Sequence, residues 1–300
     1  MARVRKIRSN RMSDRTFDVI LTIIATVWLI IVAYPVIYIV SSSFSSGNAV
    51  ASGKVLLWPV EPSLTGYELV FKYKMIWVGY ANTIMYAGLG SIFHLIMTIC
   101  GAYPLARRDY VGRGLVQRLL TVAMVFSGGL IPTYILVSQL HLTDTRLFMI
   151  ISGAVSISHL LIMRTFFQST IPTDLLESAK IDGISDAGYL FKIILPLSKA
   201  SISVIFLYAL VGKWNDYFGP LIYLRDRELY PLQLIVREIL SASIIDVTNV
   251  TDPEVVEKLA SASDLMKYSL IIVSTLPMLV LYPFLRKFFE KGVMIGSLKG

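Results

Sequence analysis

The sequence predicts an all-α membrane protein with six transmembrane helices. Of its 300 residues, 55% are hydrophobic and only 16% are charged, and the mean hydropathy is +0.66, whereas about a quarter of the residues of a soluble domain are charged. Six stretches approach the roughly 20 apolar residues that a helix needs to cross a bilayer, and the basic residues are concentrated in alternate loops. This composition argues against a soluble enzyme and against a disordered chain.

The apolar stretches follow one another along the chain with few charges inside them. They are Val19–Val40; about Asn82–Pro104, within an uncharged run from 75 to 106; Leu119–Leu140; Leu147–Met163, extended by Phe166 and Phe167; a fifth stretch that begins at Ala200, meets Lys213 and Asp216 after 13 uncharged residues and continues through Tyr217–Leu224; and Tyr268–Leu285. We expect each to form one membrane-spanning helix. The first lacks a small-residue cleavage pattern, which argues against a removable signal peptide.

The distribution of basic residues predicts which side of the membrane each loop faces. With the N-terminus inside, 18 Lys and Arg residues fall in inside segments and 9 in outside segments, while Lys213 lies within a span. Because cytoplasmic loops carry an excess of Lys and Arg, we expect both termini in the cytoplasm. The net charge of +8 is therefore interpreted as a topology signal, and no nucleic-acid partner is expected.

These spans divide the chain into three parts. The parts are a basic cytoplasmic arm, 1–17; a six-helix transmembrane domain, 18–290, with an inside loop at 170–196 and long outside loops at 41–80 and 225–267; and a cytoplasmic tail, 291–300. The second outside loop is acidic, and the residues that follow Pro253 predict a short helix within it. Loops of this size either meet a partner or substrate or form an ordered cap, and the sequence leaves both interpretations open.

No catalytic, metal or nucleotide site stands out in the sequence. Cys100 is the single cysteine, and His94, His141 and His159 lack the spacing of metal ligands. There is no G-x-x-x-x-G-K-S/T motif, so we expect the chain to bind no ATP itself. His94 and His159 lie in spans, where we expect them to be hydrogen-bonded packing residues.

The inside loop between the fourth and fifth spans begins with a predicted short helix. Asp174 and Glu177, three residues apart, fit a capping box at its start. The helix would run to about Ile181, and Gly183 suits a left-handed backbone stop after it. The hydrophobic residues of this helix share one face, and its charged residues lie on the other.

A second short helix follows in the same loop. Ser185 can cap it, it covers Asp186–Ile194, and Pro196 closes it before the next span. The two helices, joined at a glycine corner, would form a compact knob that projects from the membrane. Either the knob only links two spans, with Glu177 capping its own helix, or it docks into a groove on a cytoplasmic partner, where Glu177 faces a basic group.

The loop also contains a family pattern. The pattern consists of Glu177-Ser178-Ala179, Gly183, Ile193, Leu195 and Pro196. It resembles the EAA loop of bacterial ABC-importer permeases, which reads E-A-A, three residues, G, nine residues, I-x-L-P; serine in place of the first alanine is the one departure. In that family the loop is the coupling helix, which docks into a cleft on the ATPase subunit. The resemblance implies ATPase-coupling roles for Glu177, Ser178, Ala179, Asp182, Gly183, Ile193, Leu195 and Pro196.

Further motifs of the same family occur in the same order along the chain. They are Ala102-Tyr103-Pro104-Leu105-Ala106-Arg107 with Gly112-Arg113; Ile131-Pro132-Thr133-Tyr134 with Leu140-His141-Leu142-Thr143-Asp144-Thr145; Trp214-Asn215-Asp216-Tyr217-Phe218-Gly219-Pro220-Leu221; and Lys291-Gly292 with Gly296-Ser297-Leu298-Lys299-Gly300. They resemble segments of carbohydrate-type permeases of the MalG-like branch and extend from about Phe17 to the end of the chain. The long first outside loop resembles that of the LplC/YtcP-like subgroup, which serves complex oligosaccharides.

This resemblance implies a type I ABC-importer permease fold in the bacterial plasma membrane. Such a chain is not itself an ATPase; it imports oligosaccharides by alternating access. The expected partners are a second permease subunit in a pseudo-twofold heterodimer, two ATPase subunits that bind ATP and Mg²⁺, an extracellular solute-binding protein and the oligosaccharide. This chain itself is expected to bind no cofactor. The tail residues expected to contact the ATPases are Gly296, Lys299 and Gly300.

The fifth span contains a polar cluster. Lys213 and Asp216 are spaced i, i+3, so they can pair on one helix face, and ionisable groups at membrane depth usually face the bundle interior or a cavity. Aromatic and amide groups suit sugar recognition, and Gly219-Pro220 would break the helix, as at the binding sites of many transporters. The candidates for a substrate pathway are Trp214, Asn215, Asp216, Tyr217 and Pro220. Alternatively, the cluster marks the membrane interface, where Trp and Tyr concentrate.

Three other functions are alternatives to the importer. An ion-coupled secondary transporter or channel would use Lys213 and Asp216 as an ion or proton relay without an ATPase, but it leaves the knob unexplained. A structural or assembly protein would have no polar pathway, which the fifth span disfavours. A membrane enzyme would need a catalytic set that the sequence does not display.

Overall fold

The structure, a computed structural model, describes residues 11–126, 128–242 and 265–283. Within these ranges the regular elements are all helices, as the sequence predicts. The helices are α1 Arg11–Ser43, α2 Gly47–Ala51, α3 Thr65–Lys72, α4 Lys74–Ala106, α5 Arg113–Val125, α6 Leu130–Gln139, α7 Arg146–Ile151, α8 Ile157–Thr170, α9 Thr173–Ile181, α10 Asp186–Tyr189, α11 Leu195–Leu197, α12 Lys199–Trp214, α13 Phe218–Tyr223, α14 Leu232–Ala242 and α15 Leu265–Pro283. A π turn, Leu190–Ile194, joins α10 to α11, and a 3₁₀ turn, Arg227–Leu229, precedes α14.

Three of the described helices, α1, α4 and α15, are long and apolar enough to cross a membrane. Two bent pairs also qualify: α5 with α6 at 111°, and the segment 186–197 with α12 at 82°. The described chain therefore contains three such spans, or five if each bent pair is one span, so the predicted count of six is not reached in it. The first two predicted spans correspond to the single helices α1 and α4, and the sixth corresponds to α15.

The third and fourth predicted spans are broken in the structure. Instead of one helix over Leu119–Leu140, α5 ends at Val125 and α6 begins at Leu130; Gly129 adopts φ 82° and ψ 167°, a backbone region essentially limited to glycine. In the fourth, α7 ends before Gly153, whose φ is +66°. The prediction of unbroken helices was wrong at both places: the backbone is already non-helical at Phe126 and at Ser152, and a glycine with positive φ lies after each.

The fifth predicted span is also interrupted. Helix α12 ends at Trp214, and Asn215 caps its C-terminus. The chain then turns through three residues before the short helix α13, which contains Pro220. A break was predicted near Gly219-Pro220; in the structure the break lies a few residues earlier, directly after Trp214.

The chain forms two compact units, and the first includes residues 11–70 and 265–272. No residue in the apolar window of α1 is buried, the pattern expected of a helix surrounded by lipid. Part of the predicted first outside loop is ordered, because Ser45 Oγ donates to Ser41 O at 2.7 Å and accepts from Val60 N at 3.1 Å. A small core in this unit contains Ala49, Val50, Val55 and Leu265, with Tyr38, Val60 and Tyr268 packed against it.

The second unit includes residues 71–242 and 273–283. Its central helix is α4, which packs against α7, α8, α12 and α14. Glycines allow the close approach: a Cβ at Gly101 would lie 2.7 Å from Leu160 Cδ1, and one at Gly79 would lie 2.6 Å from Ile235 Cδ1. A core at one end of this unit contains Ala102, Leu105, Leu160, Met163, Phe167, Ile171, Ala179, Tyr189, Ile194 and Ile205.

Candidate functional site

The first helix of the predicted knob ends as the sequence indicates. Gly183 has φ +72°, and its N–H donates to Lys180 O at 3.1 Å while Ile184 N donates to Ala179 O at 2.9 Å. These two bonds form a Schellman motif, in which a left-handed residue satisfies the last helical carbonyls. The glycine corner of the knob, defined as residues 173–197, is therefore confirmed.

The start of α9 differs from the prediction. Pro172 occupies the N-cap position and the helix begins at Thr173, so Asp174 lies in the first turn and cannot form the predicted capping box with Glu177. Pro172 has φ −60° and ψ 142°, the extended backbone that an N-cap residue adopts, so the helix starts directly after it. Glu177 is exposed and forms no hydrogen bond or ion pair with a described residue. The interpretation in which Glu177 caps its own helix is wrong, and its carboxylate is available to a partner.

The second half of the knob stays helical beyond the predicted end at Ile194, as far as Leu197. Ser185 Oγ accepts from Gly188 N at 3.2 Å, which confirms the predicted cap of α10. Pro196 does not close the segment, since α11 includes it and the chain bends only at Ser198. The π turn explains this result: Leu195 N bonds to Leu190 O, and the proline that follows lies at the start of α11, where no N–H is needed.

The residues expected to couple to an ATPase divide into a buried and an exposed set. Ala179 is only 3% exposed and packs in the core that contains Tyr189 and Ile194. Ile193 and Leu195 are partly buried. The exposed set is Glu177, Ser178, Asp182, Gly183 and Pro196. The buried set attaches the knob to α4 and α8, and the exposed set forms an outer surface.

A cluster of charged residues, here named the Arg107 clasp, joins the end of α4 to the knob. The Arg107 guanidinium donates to the carboxylate of Asp186 and, at 3.2 Å, to Tyr103 Oη. It also donates to both carboxylate oxygens of Asp109, from Nε at 2.9 Å and from Nη2 at 2.5 Å. Lys180 Nζ lies 3.4 Å from Asp109 Oδ2. Both knob helices are thus bound to the segment that follows α4.

The charged groups of the clasp stabilise one another in their ionised forms. The hydrogen bond to Asp109 raises the pKa of Arg107, and the Arg107 guanidinium lowers the pKa of Asp109. Both groups are therefore ionised at neutral pH. The A-Y-x-L-A-R motif contains Arg107, but the sequence did not indicate its role, because its partner Asp186 lies 79 residues away.

Beside the clasp is a cleft of about 480 Å³. Its lining includes four basic side chains, those of Arg107, Arg108, Arg113 and Lys180, and the carboxylates of Asp109 and Glu177. Apolar groups such as Phe167 and Leu176 form part of its wall. The exposed carboxylate of Glu177 therefore lies at a cleft that combines apolar and charged surface, a combination that suits a protein partner.

Lys213 and Asp216 do not form the predicted ion pair. Lys213 Nζ donates to Met149 O at 2.7 Å, to Ser152 O at 2.6 Å and to Ser152 Oγ at 2.9 Å. Asp216 Oδ1 instead accepts from Gly219 N at 3.0 Å. The i, i+3 spacing fails here because the helix ends at Trp214. Lys213 therefore attaches the segment between α7 and α8 to α12. The three acceptors match the three N–H donors of its ammonium group.

The other candidate pathway residues differ in burial and do not share one site. Trp214 is 5% exposed, and its indole Nε1 donates to Ser274 O at 3.3 Å. Asn215 is exposed, Pro220 is buried, and the guanidinium of Arg237 lies 5.2 Å from the ring centre of Tyr217. Their assignment to the pathway stays a prediction. The predicted tail contacts, Gly296, Lys299 and Gly300, and the predicted helix after Pro253 lie outside the described residues.

A cavity of about 340 Å³ lies beside the breaks in the fourth and fifth predicted spans. His94 and His159 are hydrogen-bonded to each other through Nε2 and Nδ1 at 2.9 Å, and His94 Nδ1 lies 2.9 Å from Gly153 O. The predicted hydrogen bonding of both histidines is thus confirmed, and His94 is buried whereas His159 is partly exposed. The cavity is lined by His94, Gly153, Ser156, His159, Tyr208, Ala209, Gly212, Lys213 and Asp216. Of the predicted pathway residues, only Asp216 lines this cavity.

Asp144 joins the loop before α7 to the segment after α13. Its Oδ1 accepts from Arg225 N at 2.9 Å and from Asp226 N at 3.0 Å, and its own N–H donates to Tyr223 O at 2.8 Å. These backbone donors lower the pKa of Asp144. Its φ is +59°, a conformation that Asp tolerates better than most residues. The family motif around Asp144 is therefore a structural junction.

The chain matches, over residues 1–295, the family described as binding-protein-dependent transport system inner membrane component. It is 36% identical to the protein LplC of Bacillus subtilis (strain 168) over 97% of each chain. It is 35% identical to the polygalacturonan/rhamnogalacturonan transport system permease protein YtcP of the same organism, over 96% of this chain and all of that one. Among solved structures it resembles a chain of a bacterial ABC transporter involved in the import of the acidic polysaccharide alginate, with 32% identity and a TM-score of 0.83 over 96% of this chain and 99% of that one.

These matches define the class first: a transmembrane permease component of an ABC importer, whose ATPase is a separate subunit. The chain belongs to the family of binding-protein-dependent transport system inner membrane components. The resemblance to carbohydrate-type permeases of the LplC/YtcP-like subgroup, expected from the sequence motifs, is confirmed.

Proposed function

We propose that this permease imports uronate-containing oligosaccharides across the bacterial plasma membrane by alternating access. The observation that carries the substrate class is the near full-length similarity to two proteins whose names specify acidic polysaccharides. One is the polygalacturonan/rhamnogalacturonan permease at 35% identity, and the other is the alginate transporter at 32%. Galacturonate and alginate units share a carboxylate on a pyranose ring, so a common substrate chemistry is an acidic oligosaccharide.

The knob is proposed as the element that couples transport to ATP hydrolysis. Glu177 is exposed beside a cleft with four basic side chains, and the Arg107 clasp connects both knob helices to α4. When the ATPases close on ATP, the knob moves with them and α4 follows through the clasp. Movement of the central helix closes the inside of the pathway and opens the outside. The ATP and Mg²⁺ belong to the ATPases in this scheme.

The proposed assembly comprises four protein partners, the substrate and one contact made by the tail of this chain. They are a second permease in a pseudo-twofold heterodimer, two ATPase subunits, an extracellular solute-binding protein, the oligosaccharide, and an ATPase contact made by the tail residues Gly296, Lys299 and Gly300. The family's dependence on a binding protein supports the fourth protein partner. The proposed topology has six spans and both termini in the cytoplasm, in line with the excess of basic residues in the inside segments.

The experiment is uptake into vesicles that contain the purified transporter and enclosed ATP, with the solute-binding protein added outside. Labelled oligogalacturonate and alginate oligosaccharide are compared with neutral raffinose at equal concentration. We expect ATP-dependent uptake of at least one acidic oligosaccharide and little uptake of raffinose. Uptake that proceeds equally without ATP would reject the importer mechanism, and uptake of raffinose alone would reject the acidic substrate class.

A further inference from the structure

The cavity beside His159 has a mainly apolar surface with a few polar groups, a combination typical of ligand sites. Its volume of about 340 Å³ falls within the range of small-molecule pockets, roughly 300–1,000 Å³. It lies where two predicted spans are interrupted, near Gly153 and after Trp214. Interrupted helices with polar groups at membrane depth are typical of substrate sites in transporters.

The hydrogen bonds of the two histidines determine which ring nitrogen is left as an acceptor at the cavity. Gly153 O can only accept, so His94 Nδ1 carries a proton and donates to it. In a neutral imidazole Nε2 of His94 is then an acceptor, and His159 Nδ1 must donate to it. The remaining nitrogen, His159 Nε2, is therefore an acceptor, and it has no hydrogen-bond partner among the described residues.

Other groups around the cavity complement this acceptor. Tyr208 is 50% exposed and its ring stacks on the His159 ring with 5.7 Å between centres. The carboxylate of Asp216 is a second acceptor on the same lining, while the three hydrogen bonds of Lys213 to Met149 and Ser152 hold its ammonium group in the wall. Two acceptors beside an aromatic face match a sugar ring, which offers hydroxyl donors at its edge and an apolar face.

We propose that this cavity is a subsite for one pyranose unit of the transported oligosaccharide. His159 Nε2 accepts a hydrogen bond from a ring hydroxyl, Asp216 accepts from another, and the ring of Tyr208 packs against the sugar face. The subsite rests on the proposed oligosaccharide transport, and it is distinct from the predicted pathway residue Trp214, whose indole is buried against Ser274. His94 is a positioning residue, because it acts by fixing the proton on His159 Nδ1.

Two substitutions of His159 separate binding from packing. In His159→Asn the amide nitrogen can replace Nδ1 and keep the bond to His94, whereas the Nε2 acceptor is lost. In His159→Gln the amide oxygen can replace Nε2 as the acceptor. We expect the oligosaccharide concentration for half-maximal uptake to rise about tenfold in the Asn variant, the size of one lost hydrogen bond, and to change by less than about threefold in the Gln variant.

The opposite pattern, with Asn harmless and Gln harmful, would show that His159 only holds His94 and would overturn the proposal, as would equal losses in both variants. Gly212→Cys in a Cys100→Ser background gives a second readout that removes none of the proposed sugar contacts, because Gly212 lines the cavity, is exposed and has open space for a side chain. We expect oligosaccharide, binding protein and ATP together to slow modification of this cysteine by a small thiol reagent several-fold. Tyr282→Cys, at an exposed position of α15 away from the cavity lining, is the control and should not be protected.

Unchanged modification of the Gly212 cysteine during active transport by this variant would overturn the subsite. Wild-type uptake is measured first in the same vesicles. If the wild-type protein moves no oligosaccharide, the proposed function has failed; if it does and the cysteine is unprotected, only the subsite has failed.

Discussion

Arg107, directly after α4, and Asp186, at the start of α10, form an ion pair between residues 79 positions apart. The Arg107 side chain is only 15% exposed, while that of Asp186 is 69% exposed. Asp109 and Tyr103 fix the less exposed partner, Arg107, so the exposed knob is attached to a well-held group at the end of the central helix. This arrangement gives the knob a direct mechanical connection to the membrane-spanning core.

Removal of the clasp should weaken coupling between ATP hydrolysis and uptake. Arg107→Ala deletes the contacts to Asp109, Asp186 and Tyr103 together, and we expect uptake per ATP hydrolysed to fall about tenfold, because a connection worth a charge-assisted hydrogen bond is lost. The measurement is the ratio of uptake to ATPase activity in vesicles. Arg118→Ala is the control, since it removes the same charge and its side chain bonds to Gly114 in its own helix.

A double-mutant cycle isolates the pair. Combining Arg107→Ala with Asp186→Ala should give a coupling energy of about 1 kcal/mol in the resistance of the assembled complex to heat. Strictly additive losses would mean that Asp186 contributes nothing to the clasp. In that case the connection through Asp109 and Lys180 would have to account for the coupling alone.

The pH dependence of the clasp follows from the lowered pKa of Asp109. A carboxylate with a depressed folded-state pKa contributes stability above its unfolded pKa, about 3.9, and loses it as the pH falls through the folded value. We expect the wild type to resist heat better than Asp109→Asn. The difference in heat resistance should be constant above about pH 5 and shrink below about pH 4. A difference that disappeared near pH 7 would contradict the pairing.

Gly183 should tolerate no side chain without loss of knob order. A Cβ there meets no atom within 4 Å, so the effect of Gly183→Ala comes from the left-handed backbone alone, about 1–2 kcal/mol. Gly183→Pro should be worse, because it also removes the N–H that donates to Lys180 O. Faster hydrogen exchange in the knob is the expected readout. Gly114→Ala, in the first turn of α5 with open space around it, should be neutral or stabilising.

Asp144 should be required for stability and tolerant of one substitution. Asp144→Ala removes the acceptor of two backbone N–H groups at a residue with φ +59°, and we expect a loss of about 2 kcal/mol. Asp144→Asn keeps an oxygen acceptor and tolerates the same backbone conformation, so it should cost less than half as much. The heat resistance of the two variants tests this, and equal losses would mean that the charge is decisive.

Lys213 should act as a structural group and not as an ion relay. Lys213→Met leaves the carbonyls of Met149 and Ser152 without their donor, which should destabilise the protein by about 2–3 kcal/mol. A relay predicts instead that a proton gradient drives uptake without ATP and that the variant abolishes it. Uptake driven only by ATP, together with lowered heat resistance of the variant, would support the structural role.

The sequence predicted features that depend on neighbouring residues and missed those that depend on distant ones. The stop at Gly183 and the cap at Ser185 were predictable because both follow from local backbone chemistry. The bonds of Lys213 to Ser152 and of Arg107 to Asp186 were not, since each joins segments far apart in the chain. The breaks near Gly129 and Gly153 were missed because glycine is frequent in membrane helices, so its presence alone does not mark an interruption.

The most direct test of the account is the composition of the complex that this chain forms in its host. A tagged chain is purified after mild solubilisation, and the bound proteins are identified by mass, for the wild type and for Glu177→Lys, which reverses an exposed charge of the knob. We expect two ATPase subunits and a second permease with the wild type, and loss of the ATPases but not of the permease with the variant. A wild-type chain that purifies alone and still moves oligosaccharide into ATP-free vesicles would contradict the account.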